Sequence, residues 1–114
     1  MRIAAINLNG RDYHSEGALL ARLKAELTML RRLRISCVKL YHGSVEDGGS
    51  AETRTSCRQY LHEQLADGAI RALCIGEHFG PFEADGCQVA KLCPELRQDS
   101  DWSRQNDAIT IILI

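Results

Sequence analysis

The residue types able to do chemistry in this chain collect in short glycine-bearing stretches: Asn7-Leu8-Asn9-Gly10, His42-Gly43 and Gly48-Gly49. His42 is the imidazole of the group, and an imidazole titrates close enough to neutrality to act as general acid or base. The asparagines cannot, because an amide donates and accepts hydrogen bonds but exchanges no proton at ordinary pH. The loop from His42 leads through Gly48-Gly49 to Ser50, where a helical pattern begins. A helix start carries unpaired N–H groups and the positive end of its dipole, so a glycine-bearing loop feeding it suits a phosphate. Arg54, in the first turn of that helix, can reach the same anion.

These groups act together only if the surrounding elements bring them to one edge. Arg2 to Leu8 reads as an apolar strand stopped by Asn9-Gly10. Leu19, Leu23, Leu27 and Leu30 then recur at four- and three-residue steps, with Arg22, Lys24, Glu26, Arg31 and Arg32 between them. That pattern predicts an amphipathic helix of about five turns, capped by Asp12 or Ser15. Ile35 to Tyr41 is a second strand. Ser50 can cap a second helix that runs to about Asp67, with Cys57, Leu61 and Leu65 on one face and Gly68 as its terminator.

Ile70 to Ile75 is a third strand. Residues 76–107 form an irregular excursion, with a short helix from Ala84 to Cys93 stopped by Pro94. Ala108 to Ile114 is apolar enough to be covered on both faces. The alternation predicts an α/β domain with a partly parallel sheet and right-handed crossovers. Loops beyond the carboxyl ends of parallel strands carry function, so parallel pairing of the first two strands puts the asparagine turn, His42 and the second helix start on one rim.

At 114 residues, without repeat or linker, the chain reads as a single domain, 1–114. A net charge of −1 gives no general attraction to nucleic acid, so any such site must be local. The one concentrated positive run, Arg22, Lys24, Arg31, Arg32 and Arg34, reads first as the wet face of the first helix, although it could contact a nucleic-acid backbone. No apolar run is long enough for a membrane span and the start is no signal peptide. Five cysteines without C-x-x-C spacing read as reduced thiols of a cytoplasmic protein, with Cys37 and Cys74 as small core residues. His14, His62 and His78 show no metal-ligand spacing and read as surface or capping residues. Asp99 and Asp101 read as turn formers, and Trp102 as packing for the excursion. No cofactor is expected.

The order and spacing of these stretches resemble the small MutS-related (Smr) domain. Ile6-Asn7-Leu8-Asn9-Gly10 with Glu16 is similar to the family's Leu-Asp-Leu-His-Gly motif and following Glu. Lys39-Leu40-Tyr41-His42-Gly43 is similar to the strand that ends in His-Gly-x-Gly, and Gly48-Gly49 with Arg54 to the glycine loop and helix arginine. Ala108 to Leu113 looks like the terminal Gly-x-Thr-x-Val strand, and Gly76-Glu77-His78-Phe79 like a divergent bacterial branch. The resemblance implies a two-layer β-α-β-α-β-β sandwich with a mixed four-stranded sheet, similar to the C-terminal domain of translation initiation factor 3. It implies DNA or RNA binding and endonuclease ancestry. Carried over by position, His42 is the catalytic candidate, and Asn7, Asn9, Gly10, Lys39, Gly43, Gly48, Gly49 and Arg54 are the phosphate-contacting set.

The chain departs from the family at the residues that matter most for catalysis. Asn7 and Asn9 stand where the family has an acid and a histidine, Val45 replaces a glycine, and Glu46 and Asp47 add negative charge beside the loop. The expectation is therefore a nucleic-acid-binding domain with weak or lost cleavage, against an alternative in which the old site has become a contact for another protein.

Overall fold

The computed structural model describes residues 3–8, 15–44 and 50–114, without the side chains of residues 50 and 51. Among them the chain forms β1 (Ile3–Asn7), α1 (Glu16–Arg32), β2 (Cys37–Tyr41), α2 (Ser50–Ala66), β3 (Ala72–Ile75), α3 (Ala84–Leu92) and β4 (Ile109–Leu113). Short 3-10 turns, Gly76–His78 and Pro94–Gln98, flank α3. Ser15 caps α1 by accepting the Ala18 N–H at 3.1 Å. The alternative cap, Asp12, lies outside the described residues.

The four strands make one mixed sheet in the order β1-β2-β4-β3. β1 runs parallel to β2, with Asn7 opposite Tyr41. β4 is antiparallel to both of its neighbours and fills the place between β2 and β3. α2 therefore carries the chain across β4's position before β4 itself arrives in sequence.

The two faces of the sheet bury separate cores. On one face Leu19, Leu23 and Leu27 of α1 and Cys57 and Leu61 of α2 pack on Ile6, Val38, Leu40, Leu73 and Ile112. Leu65, on the same expected stripe, is 37% exposed. On the other face Cys37, Cys74, Ile109, Ile111 and Leu113 meet Phe79, Val89, Cys93 and Leu96, with Trp102 edge-on to Phe79 at 5.1 Å. The two-layer expectation is thus corrected to three layers. Alternate residues of a strand point to opposite faces, and the second set here is as apolar as the first, so the excursion must fold back to cover it.

Both long helices end in the same backbone closure with different residues at its left-handed position. At the end of α2, Gly68 (φ 76°) and Ala69 donate to the carbonyls of Leu65 and Gln64. At the end of α1, Arg34 (φ 60°) and Ile35 donate to Arg31 and Leu30. A Cβ in this conformation costs roughly 1–2 kcal/mol. Arg34 is exposed and a Cβ on Gly68 would meet nothing within 4 Å, so packing does not confuse the comparison. Urea denaturation should find Arg34→Gly more stable and Gly68→Ala less stable, each by about 1 kcal/mol. Shifts in the same direction would reject the capping account.

Candidate functional site

The parallel pairing of β1 and β2 brings three of the expected elements to one rim. Beyond Asn7 the chain stays beside β2, with the Leu8 N–H on the Tyr41 carbonyl at 2.8 Å. Beyond Tyr41 the His42 and Gly43 N–H groups both donate to Ala108 at the start of β4. Arg54, in the first turn of α2, donates from Nε to the neighbouring Asp107 carbonyl at 3.2 Å.

His42 lies at this rim but is fully buried. Its Nδ1 is 3.0 Å from the Gly43 carbonyl and its Nε2 is 2.8 Å from Thr110 Oγ1. A carbonyl only accepts, so Nδ1 carries the proton and Nε2 accepts from the Thr110 hydroxyl. Thr110 Oγ1 in turn accepts Arg58 Nε–H at 3.1 Å. Every polar atom of the ring is satisfied, and the ring is neutral. Burial, opposed by the Gly43 carbonyl and Glu77 and aided by the charges of Arg58 and Arg54, pushes its pKa down to about 4.

Arg58 holds the network together. Besides Thr110 it donates to the Ile109 carbonyl at 3.0 Å and, through both terminal nitrogens, to the Glu77 carboxylate at 2.7 and 3.0 Å. Arg54 also pairs with Glu77. Partial burial would raise the Glu77 carboxyl, but hydrogen bonds from Arg58 outweigh it and bring the pKa down to about 2. Two guanidinium groups therefore share one carboxylate.

The remaining positions scatter. Lys39 projects through the opposite face of the sheet and is buried there by Asp99, at 2.8 Å, and Asp101. Burial alone would lower its pKa, but these hydrogen bonds hold it above the ordinary lysine value. Asp99 and Asp101 do more than shape a turn; they fasten the excursion to β2. Asn9, Gly10, Gly48 and Gly49 lie outside the described residues, as do Val45, Glu46 and Asp47.

A separate open cleft of roughly 380 Å³ lies between the starts of α1 and α2, lined among the described residues by Glu16, Glu52, Thr55 and Ser56. At 100° per residue, this side of α2 faces away from Arg54 and Arg58. The rim thus presents two carboxylates and two hydroxyls on one side of the helix, and two compensated guanidinium groups on the other.

Sequence reasoning missed Thr110 as a partner of His42, and Arg58 and Glu77 as the groups linked to it through Thr110. One signal for Arg58 was available: it stands four residues after Arg54 and next to Cys57 on the buried stripe, where an arginine must be paired. Glu77 follows directly on β3, but only the β1-β2-β4-β3 order brings it beneath α2.

The chain matches no protein-family model, no curated protein and no solved structure.

The His42 arrangement fixes the sign of one pH effect. Well above pH 6.5, the ordinary imidazole pKa, the ring is essentially unprotonated in both folded and unfolded chain. As the pH falls from there toward 4, the unfolded chain takes up the proton and the folded ring does not, so stability falls by up to about 3 kcal/mol. In His42→Gln, whose amide does not titrate, urea midpoints should decline less between pH 6.5 and 4.5 than in the parent chain. An identical decline would show that other groups govern the acid side.

Proposed function

We propose that this chain is a non-catalytic binding domain of the Smr type, with a protein rather than a nucleic acid as partner. The observation that carries the reading is the state of His42: buried, neutral, and hydrogen-bonded at both ring nitrogens. A general base needs a basic lone pair that reaches the substrate, and the Asn7 amide, standing in place of the family's acid, exchanges no proton. The element order and the mixed sheet support the likeness to the C-terminal domain of translation initiation factor 3, and the excursion is an added third layer. Unpaired thiols at all five cysteines support a reducing compartment, and no helix among the described residues is long and apolar enough to cross a membrane.

Charge favours the protein partner. Lys39 is drawn to the far face, Arg54 and Arg58 already hold Glu77, and the cleft beside them carries Glu16 and Glu52. Carboxylates at a cleft repel a phosphate backbone and attract the lysine or arginine side chains of a peptide. Nucleic acid is the second reading. It is favoured by the partly exposed Arg54 and by exposed Arg32 and Arg34 at the end of α1.

Titration with labelled peptides bearing lysine or arginine, and in parallel with duplex DNA and structured RNA at low salt, separates the two. Peptide binding is expected to weaken about ten-fold when Glu16→Gln and Glu52→Gln are combined, which corresponds to about 1.4 kcal/mol. No cleavage of either nucleic acid is expected, with or without divalent cation. Salt-dependent nucleic-acid binding that Arg54→Ala abolishes, without peptide binding, would establish the second reading instead.

A further inference from the structure

The layer that covers the second face carries a group of side chains with no part in the His42 network. His78 closes the turn after β3, Glu83 stands immediately before α3, and Asp85 is the second residue of that helix. One ligand atom from each of the three lies within 4.8 Å of the other two, and His78 Nδ1 sits 3.0 and 3.2 Å from the Asp85 oxygens. Acids at a helix start are explained by the dipole alone; an imidazole facing them is not. Glu83 occupies the capping position, yet its side chain makes no capping hydrogen bond, so its carboxylate is not committed to the helix.

Backbone packing holds the three together. A Cβ on Gly86 would lie 2.3 Å from the carbonyl oxygens of both His78 and Gly80. The first turn of α3 is therefore pressed against the main chain at His78, and the spacing between His78 and Asp85 does not depend on long flexible side chains. The same segment is anchored beneath by the buried Phe79 against Trp102 and by the Ser103 N–H on the Phe79 carbonyl at 2.8 Å.

We propose that His78, Glu83 and Asp85 form a divalent-cation site, with zinc as the preferred ion. One imidazole nitrogen and two carboxylate oxygens suit zinc, and the nitrogen disfavours calcium and magnesium. Metal–ligand bonds of about 2.1 Å place tetrahedral ligand atoms about 3.4 Å apart, so side-chain rotation over little more than an ångström closes the site. Binding of a cation would displace the Nδ1 proton that His78 directs at Asp85. His78 and Asp85 are half-buried and Glu83 is exposed, so water completes the coordination. Manganese binds more weakly here, following the usual order of divalent affinities.

Calorimetric titration of the whole chain with zinc, in a Cys87→Ser background that removes the one exposed thiol, tests the site. One ion per chain is expected. His78→Ala, Glu83→Gln and Asp85→Asn should each weaken binding at least about ten-fold, with unchanged circular dichroism. Cobalt should give absorption bands of mixed nitrogen and oxygen ligation that disappear in His78→Ala. Loss of zinc binding on Cys87→Ser alone, affinity unchanged in all three ligand variants, or no binding at zinc concentrations up to about 100 µM would each overturn the proposal.

Discussion

A single buried hydroxyl organises the centre of this molecule. β4 is wholly buried, and Thr110 is its one polar side chain. A hydroxyl taken out of water needs partners on both its donor and acceptor sides. Nε2 of the neutral His42 ring accepts the Thr110 O–H, and the Thr110 oxygen accepts Arg58 Nε–H, which draws a guanidinium into the interior. That charge in turn demands a carboxylate, which Glu77 provides from the turn after β3. Strands β2 and β4, helix α2 and the start of the excursion are thus fastened by successive compensations, each created by the one before. The same arrangement leaves neither ring nitrogen of His42 free, since one faces the Gly43 carbonyl and the other holds Thr110.

The other face uses the same principle with opposite charge. Lys39 is the only charged residue of β2, and its ammonium is satisfied by Asp99 and Asp101 from the excursion. The third layer is therefore held by apolar packing around Phe79, Val89 and Leu96 and by a buried ionic cluster that fixes its position over the sheet. Apolar contact supplies most of the driving force; the ion pairs penalise any placement that leaves Lys39 alone.

Much of the element order was readable from periodicity and punctuation. Leu19, Leu23 and Leu27 defined α1, Ser15 its cap, Gly68 the end of α2 and Pro94 the end of α3, because these signals are local and act through near neighbours. The parallel β1–β2 pair followed from the intervening helix. What could not be read was which distant groups would meet. His42 and Thr110 are 68 residues apart, and Arg58 and Glu77 lie 19 apart around a crossover. Lys39 and Gly43 stand in one short stretch, yet the pleat sends the lysine to the face opposite the His42 network, so spacing alone grouped residues that the fold separates. The third layer was hidden for a related reason: excursion residues such as Phe79 and Leu96 carry no regular period, although they bury as completely as the strands.

The position of β4 has a consequence for how the chain is made. It is the last of the four strands to leave the ribosome, yet it sits inside the sheet with a partner on each side. Until it arrives, β2 and β3 have facing edges and no hydrogen-bonded neighbour between them, and the second-face residues Cys37 and Cys74 lack the central apolar strip they pack against. The nascent chain therefore holds an open slot shaped for one strand. Exposed strand edges of that kind recruit chaperones or, failing that, the slots of other copies. Closing the slot is a long-range event, so sheet completion waits for the last of the four strands.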